Sequence, residues 1–143
     1  MSTVARFYRL AGLVVAILVG LQGCGVSADK AKAEAAIGVF HQHLDAEDFD
    51  AIWSSTDDAL RAATSRPKFE KFVQAVHRKL GNVVKTSGAG WRVQSYNFKT
   101  SVVLQQKTDF EHGSGTETFT FAVHGEDVKL AGYHVDSEDL VTL

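Results

Sequence analysis

Apolar positions along the chain change their period near Gly81. Before it they follow the helical repeat: Ala33, Ala36, Ile37, Phe40 and Leu44 stand at offsets of 0, 3, 4, 7 and 11, and Phe69, Phe72, Val73, Val76 and Leu80 repeat that spacing. Each set makes one stripe on a helix. Gly38 weakens the first by about 1 kcal/mol relative to alanine. Between the two, Phe49, Ile52 and Trp53 predict a short helix after a break at Asp45-Ala46-Glu47-Asp48, and Ser55-Thr56-Asp57-Asp58 reads as a capping box for a further turn through Leu60. Ser65, with Pro67 in the first turn, opens the helix that Gly81-Asn82 closes as a left-handed cap.

After Gly81 the period is two. Phe119, Phe121 and Val123 alternate with Thr118, Thr120 and Ala122, the pattern of a half-buried antiparallel strand. His112-Gly113-Ser114-Gly115 and His124-Gly125-Glu126-Asp127 read as turns on either side, with partner strands at Thr100–Phe110 and Val128–Val135. An earlier strand covers Trp91–Phe98, preceded by a turn at Ser87-Gly88-Ala89-Gly90 and an extended piece at Val83–Lys85. Trp91 and Val93 share one parity and Tyr96 and Phe98 the other, and Val128 and Leu130 switch to Tyr133 and Val135 around Gly132. Both switches predict bulges or bends. Helices first and strands second give an α+β domain, with N-terminal helices packed on a curved antiparallel four-stranded sheet.

The first twenty-four residues follow neither period. Arg6 and Arg9 precede an uncharged run from Leu10 to Leu21, the layout of an export signal. That run rises only about 18 Å as a helix, too short to span a bilayer. It ends in Leu21-Gln22-Gly23-Cys24, which resembles the lipobox of bacterial lipoproteins. The resemblance implies a signal peptide over residues 1–23, lipid on Cys24, a lipidated N-terminus and tether over 24–30, and one domain over 31–143. It also implies a cell-envelope location, and Gly25 after the cysteine resembles sorting to the periplasmic side of the outer membrane in diderm bacteria. Several acyl chains hold a protein firmly at a membrane, at about 0.8 kcal/mol per buried methylene.

Composition narrows the classes that remain. Cys24 is the only cysteine, so no intrachain disulfide supports the fold. Loss of residues 1–23 leaves 13 basic against 17 acidic residues, a mildly acidic domain without the basic stripe that nucleic acid requires.

A lipobox, helices with a "DF…IW" turn, a helix ending in Leu80-Gly81 and a meander closing on Leu130-Ala131-Gly132-Tyr133-His134-Val135 resemble an uncharacterised family of small bacterial envelope domains. Its members are similar to the cone-shaped, cystatin-like fold of nuclear transport factor 2. The resemblance covers roughly residues 31–135. It implies a sheet curled around a cavity and assigns no activity, cofactor or functional residue.

Candidate chemistry is sparse. His41 and His43 are two positions, about 200°, apart on a helix and do not chelate one ion. They read as boundary histidines, with Asp45 four residues on from His41 as a charge-assisted partner. No metal, cofactor or nucleophile motif is present, and Gly113-Ser114-Gly115 is turn chemistry. Tyr96, Tyr133 and His134, in the strands, carry polar tips and are the candidate ligand contacts, His134 forming an acid–base pair with Tyr96 if the sheet brings them together. The reading is a lipid-anchored, non-enzymatic module that binds a partner protein or small ligand at the envelope. The alternative is a small cone-fold enzyme of isomerase or lyase type with an acid–base pair in its cavity.

Overall fold

The computed structural model describes residues 24–141, so the expected signal peptide lies outside the described residues. Helix α1 (Cys24–Asp45) is followed by α2 (Phe49–Ser54), α3 (Asp58–Ala63) and α4 (Arg66–Leu80). Strands β1 (Val83–Tyr96), β2 (Lys99–Phe110), β3 (Gly113–His124) and β4 (Asp127–Asp136) then form one antiparallel meander in the order β1-β2-β3-β4, closed by a 3-10 turn at Glu138–Leu140. The architecture is α+β, with the helices on one face of a curved sheet. Residues 24–30, read as a tether, are helical and continuous with the rest of α1.

The stripe on α1 is buried as its spacing requires: Ala33, Ile37, Phe40 and Leu44 meet Val102, Leu104, Phe119, Phe121 and Leu130 from the sheet. From α4, Phe69, Val73, Val76 and Leu80 complete the same core, while Phe72 stays partly exposed. The short helices are stopped and started by polar side chains. Asp48 caps α2 by accepting from the Ala51 N–H, and Asp57, two residues past the expected Ser55, caps α3 by accepting from the Ala59 N–H. Ser65 precedes α4 without a side-chain cap, and Gly81 ends that helix at φ 79° and ψ −162°. A Cβ on Gly81 would lie 2.7 Å from Glu111 Oε2, so glycine is needed there for space as well as conformation.

The strands differ from expectation in three places. Ser87–Gly90 is not a turn but lies inside β1, where a register shift between Gly88 and Gly90 leaves Ala89 as a bulge. Glycines that read as a turn in sequence here accommodate the extra residue of a bulge. The β2–β3 turn is confined to Glu111-His112, and β3 starts at Gly113. In β1 the bulges fall at Val84 and Ala89 rather than between Val93 and Tyr96, so Tyr96 lies on the face away from the helices and Phe98 lies in the turn. The switch in β4 is as expected: Phe121 pairs Leu130 and Thr120 pairs Gly132, which leaves Ala131 unpaired and returns Tyr133 and Val135 to the helix face.

The two edges of the sheet are treated differently. Beside β4, the segment between α2 and α3 forms a parallel bridge from Thr56 to Leu130, the Asp57 N–H donating to Leu130 O at 2.7 Å and the Leu130 N–H to Ser55 O at 3.1 Å. Among the described residues, strand β1 has β2 on one side and no strand on the other, and nearly all of its fourteen residues are exposed.

The β1–β2 turn carries a conformational cost. Asn97 and Phe98 are the two loop residues between the paired Tyr96 and Lys99, and both have positive φ, 48° and 60°. A two-residue turn of this hand favours asparagine then glycine, and a bulky side chain in the second place is strained. Phe98→Gly should therefore raise stability, by about 0.5–1 kcal/mol in chemical denaturation, since no core packing is lost.

Candidate functional site

The centre of the helix-facing side of the sheet holds a carboxyl group. Glu117 on β3 has the parity of Phe119 and Phe121, and is 0% exposed. Alternation alone places it inward; partners from three other elements satisfy it. From α1, His41 Nε2 lies 2.7 Å from Glu117 Oε2. From β2, the Thr108 hydroxyl donates to the same oxygen at 2.6 Å. From β4, the Tyr133 hydroxyl donates to Oε1 at 2.7 Å. The carboxylate form accepts from all three, whereas a buried carboxylate without them would cost several kcal/mol.

Aromatic rings pack around this cluster. Phe40 meets Phe119 edge-on at 5.2 Å and Tyr133 at 4.7 Å between centroids. His41 contacts Phe119 edge-on at 5.8 Å, and Phe72 lies 5.8 Å from Tyr133. Burial of its hydroxyl, then the charge of Glu117 and the hydrogen bond to it, push the Tyr133 phenol well above its ordinary value of 10.0. Gln106 is the cross-strand neighbour of Glu117, and its buried Oε1 has no hydrogen-bond partner among the described residues.

This arrangement has the composition of an acid–base site, with a carboxyl group between an imidazole and a phenol. Phe40 and Phe119 pack in the core beside it, with Tyr133 half-buried against them. Two of the surface clefts among the described residues lie elsewhere. One, of about 650 Å³, is lined by residues including Asp45, Glu47, His77, Arg78 and Glu111. Its polar groups mostly tie elements together: Asp45 accepts from the Val83 N–H, Glu111 from the Asn82 N–H, and His77 meets Asn82 Oδ1 at 2.8 Å. The other, of about 200 Å³, lies between Trp91, Arg92, Val103 and Gln105. Neither contains His41, Glu117 or Tyr133.

Of the three candidate contacts read from the sequence, Tyr133 belongs to the buried cluster. Tyr96 stands at the far end of β1 and is 79% exposed. His134 is exposed beside Thr118 on the opposite face of β4 from Tyr133. Tyr96, Tyr133 and His134 are not brought together. His41, read as a boundary residue paired with Asp45, is buried against Glu117 instead. Glu117 was not among the candidates, although its parity with Phe119 is a signal that would have found it. No group of three His, Cys, Asp or Glu side chains suited to a metal occurs among the described residues.

A second ionisable contact fastens the covered edge of the sheet. Burial would raise the Asp57 carboxyl, but the Ala59 N–H and the adjacent His124, whose Nε2 lies 2.6 Å away, hold it below its ordinary value.

Comparison with known proteins places this geometry in context. A family model described as "Protein of unknown function (DUF4019)" matches residues 36–133. No curated protein matches. The solved structure of Bdellovibrio bacteriovorus Bd1075 is similar over 76% of this chain and 40% of that one, at 11% identity and a TM-score of 0.49, so the chain spans less than half of that protein's length.

Two outcomes test the buried cluster. Glu117→Gln turns one acceptor into a donor that faces another donor, and should cost about 1–3 kcal/mol of stability; combined with Tyr133→Phe, the loss should be less than the sum of the single losses in a double-mutant cycle. The folded state keeps the Tyr133 phenol protonated beyond its ordinary value of 10.0 while the unfolded chain ionises there, so stability should fall as pH rises above about 10. Tyr133→Phe should flatten that alkaline limb in denaturation measured as a function of pH.

Proposed function

Since the chain belongs to the DUF4019 family, whose description assigns no activity, we propose from its own geometry that it is a lipid-anchored, non-enzymatic interaction module of the bacterial cell envelope. The observation that carries this reading is the contrast between a closed interior and an open edge strand. Glu117 and His41 are buried and Tyr133 is half-buried against the core, where they join helix to sheet. By contrast, β1 runs for fourteen residues with no strand on its outer side among the described residues, and Val84 is 67% and Trp91 52% exposed.

A free edge of this kind suits an extended segment of a partner protein, which gains main-chain hydrogen bonds from the edge and side-chain contacts on its faces. Charge favours an acidic segment. From Val83 to Lys107 the chain has Lys85, Arg92, Lys99 and Lys107 and no acidic residue, although the whole protein has net charge −2. The order of elements and the curvature around α1 support a cone of the nuclear-transport-factor-2-like kind, with its interior occupied by side chains.

Anchoring rests on Leu21-Gln22-Gly23-Cys24. No helix among the described residues is long and apolar enough to cross a membrane. Because α1 begins at Cys24, acyl chains on that residue would hold the domain directly at the bilayer with no intervening linker.

Two measurements in cells test the two halves of this reading. Cys24→Ser should abolish acyl labelling and release the protein from membranes. A photocrosslinking amino acid at Val84 or Arg92 on β1 should give a discrete protein adduct that the same group at Lys129 on β4 does not; equal adducts at all three positions, or none, would refute an interface on β1.

A further inference from the structure

The end of the sheet beside the N-terminus of α1 has a feature that neither the core nor the β1 edge explains. Phe98 is 110% exposed and Tyr96 79% exposed, so neither contributes packing to the fold. Phe98 and Asn97 moreover hold positive φ, which a glycine at position 98 would accept without strain. A side chain that is unburied and conformationally costly has no use inside the domain.

Its position relative to Cys24 suggests one outside it. The C-terminal end of helix α1 and the start of strand β1 meet at one end, where Asp45 Oδ1 accepts from the Val83 N–H at 3.0 Å. Followed back along α1 and forward along β1, they stay side by side: Lys30 Nζ lies 5.7 Å from the Trp91 ring centroid. Lys32 Nζ also reaches Glu126 at 3.1 Å, in the other turn at this end of the sheet. Beyond Lys30, six residues of helix rise about 9 Å to Cys24. Beyond Trp91, five residues of strand rise about 16 Å to Tyr96. The β1–β2 turn thus extends past the helix end at which the lipid anchor would sit.

We propose that the Tyr96-Asn97-Phe98-Lys99 turn is a membrane-contact tip, which seats Phe98 and Tyr96 in the headgroup region of the bilayer that holds Cys24. This rests on the anchoring part of the proposed function. The occupant follows from chemistry and from where the chain leaves the domain. Exposed aromatic rings favour the interface between headgroups and acyl chains, and Lys99 beside them suits lipid phosphates. The hairpin has no acidic residue from Val83 to Lys107. The acids at this end include Asp29 on α1, Glu126 in the β3–β4 turn and Asp127 at the start of β4, with Glu126 held by Lys32. They lie outside the aromatic turn. Two attachments, the acyl chains and the tip, would fix the tilt of the domain and keep the β1 edge beside the membrane, facing sideways.

The test uses the full lipidated chain in vesicles of phosphatidylcholine and phosphatidylglycerol carrying a spin label just below the headgroup. A fluorophore sensitive to polarity is placed on Phe98→Cys and, at the opposite end of the sheet, on Asp109→Cys. The proposal expects a blue shift and loss of most fluorescence by quenching at position 98, and neither at 109. Fluorescence unchanged at both positions, with the protein floating with the vesicles, overturns the tip and leaves the anchor intact. Failure of the protein to float, with no acyl group on Cys24, instead overturns the anchor on which the tip depends. Phe98→Asp provides a second check: the lipidated variant should remain folded and bound while a fluorophore on Tyr96→Cys loses its quenching, whereas undiminished quenching would mean that Phe98 does not seat the turn.

Discussion

A carboxyl group with no access to water must find its hydrogen bonds within the protein, and in this fold that requirement joins four elements. Glu117 is on the sheet's helix-facing side, between Gln106 and Val135 across the strands and next to Phe119 on its own. Its partners come from α1, β2 and β4. Hydrophobic burial would hold α1 against the sheet at many similar offsets along its stripe, but only one places His41 against Glu117 while the Phe40 ring meets Phe119 and Tyr133. Shape and hydrogen bonding therefore select the same arrangement, and removing either partner would leave a polar group buried and unpaired.

The same cluster shapes the functional reading. A histidine, a glutamate and a tyrosine meet there, and the Phe40, Phe119 and Tyr133 rings pack around them. The domain keeps its ionisable groups inside and its uncommitted surface at the opposite edge. The β4 edge is covered by the Ser55–Asp57 segment, whose hydrogen bonds to Leu130 satisfy main-chain groups that would otherwise face solvent. Among the described residues, strand β1 has no such cover. Natural sheets generally limit long open edges, and the bulges at Val84 and Ala89 with the lysine and arginine on β1 are features that do so.

Much of the fold was legible because two periodicities carry it. The stripes of α1 and α4 and the alternation of β3 needed no knowledge of what they pack against, and Ala131 beside Gly132 bulges where the parity of the flanking residues changes. Local chemistry was less reliable where it had two uses. Glycines at Gly88 and Gly90 serve a turn or a bulge equally well, and only pairing with Gln106 and Gln105 distinguishes them. Phe98 has the alternation of a strand residue, but the register of Tyr96 against Lys99 puts it in the loop.

The sequence by itself determined the order of helices and strands and the buried stripes, since each depends on residues near one another in the chain. The candidate site was not determined in that way. Tyr133 was recognisable as an aromatic with a polar tip, but its partner was not, and His41 looked like the edge of a helical stripe. The residues that meet at Glu117 are separated from it by 76, 9 and 16 positions. Periodicity tells which side of an element is buried and is silent on what lies across the gap. Only the crossing of α1 over the sheet and the register of its strands decided that a histidine, a threonine and a tyrosine share one carboxylate, and that the strained Phe98 and Cys24 lie at the same end of the molecule.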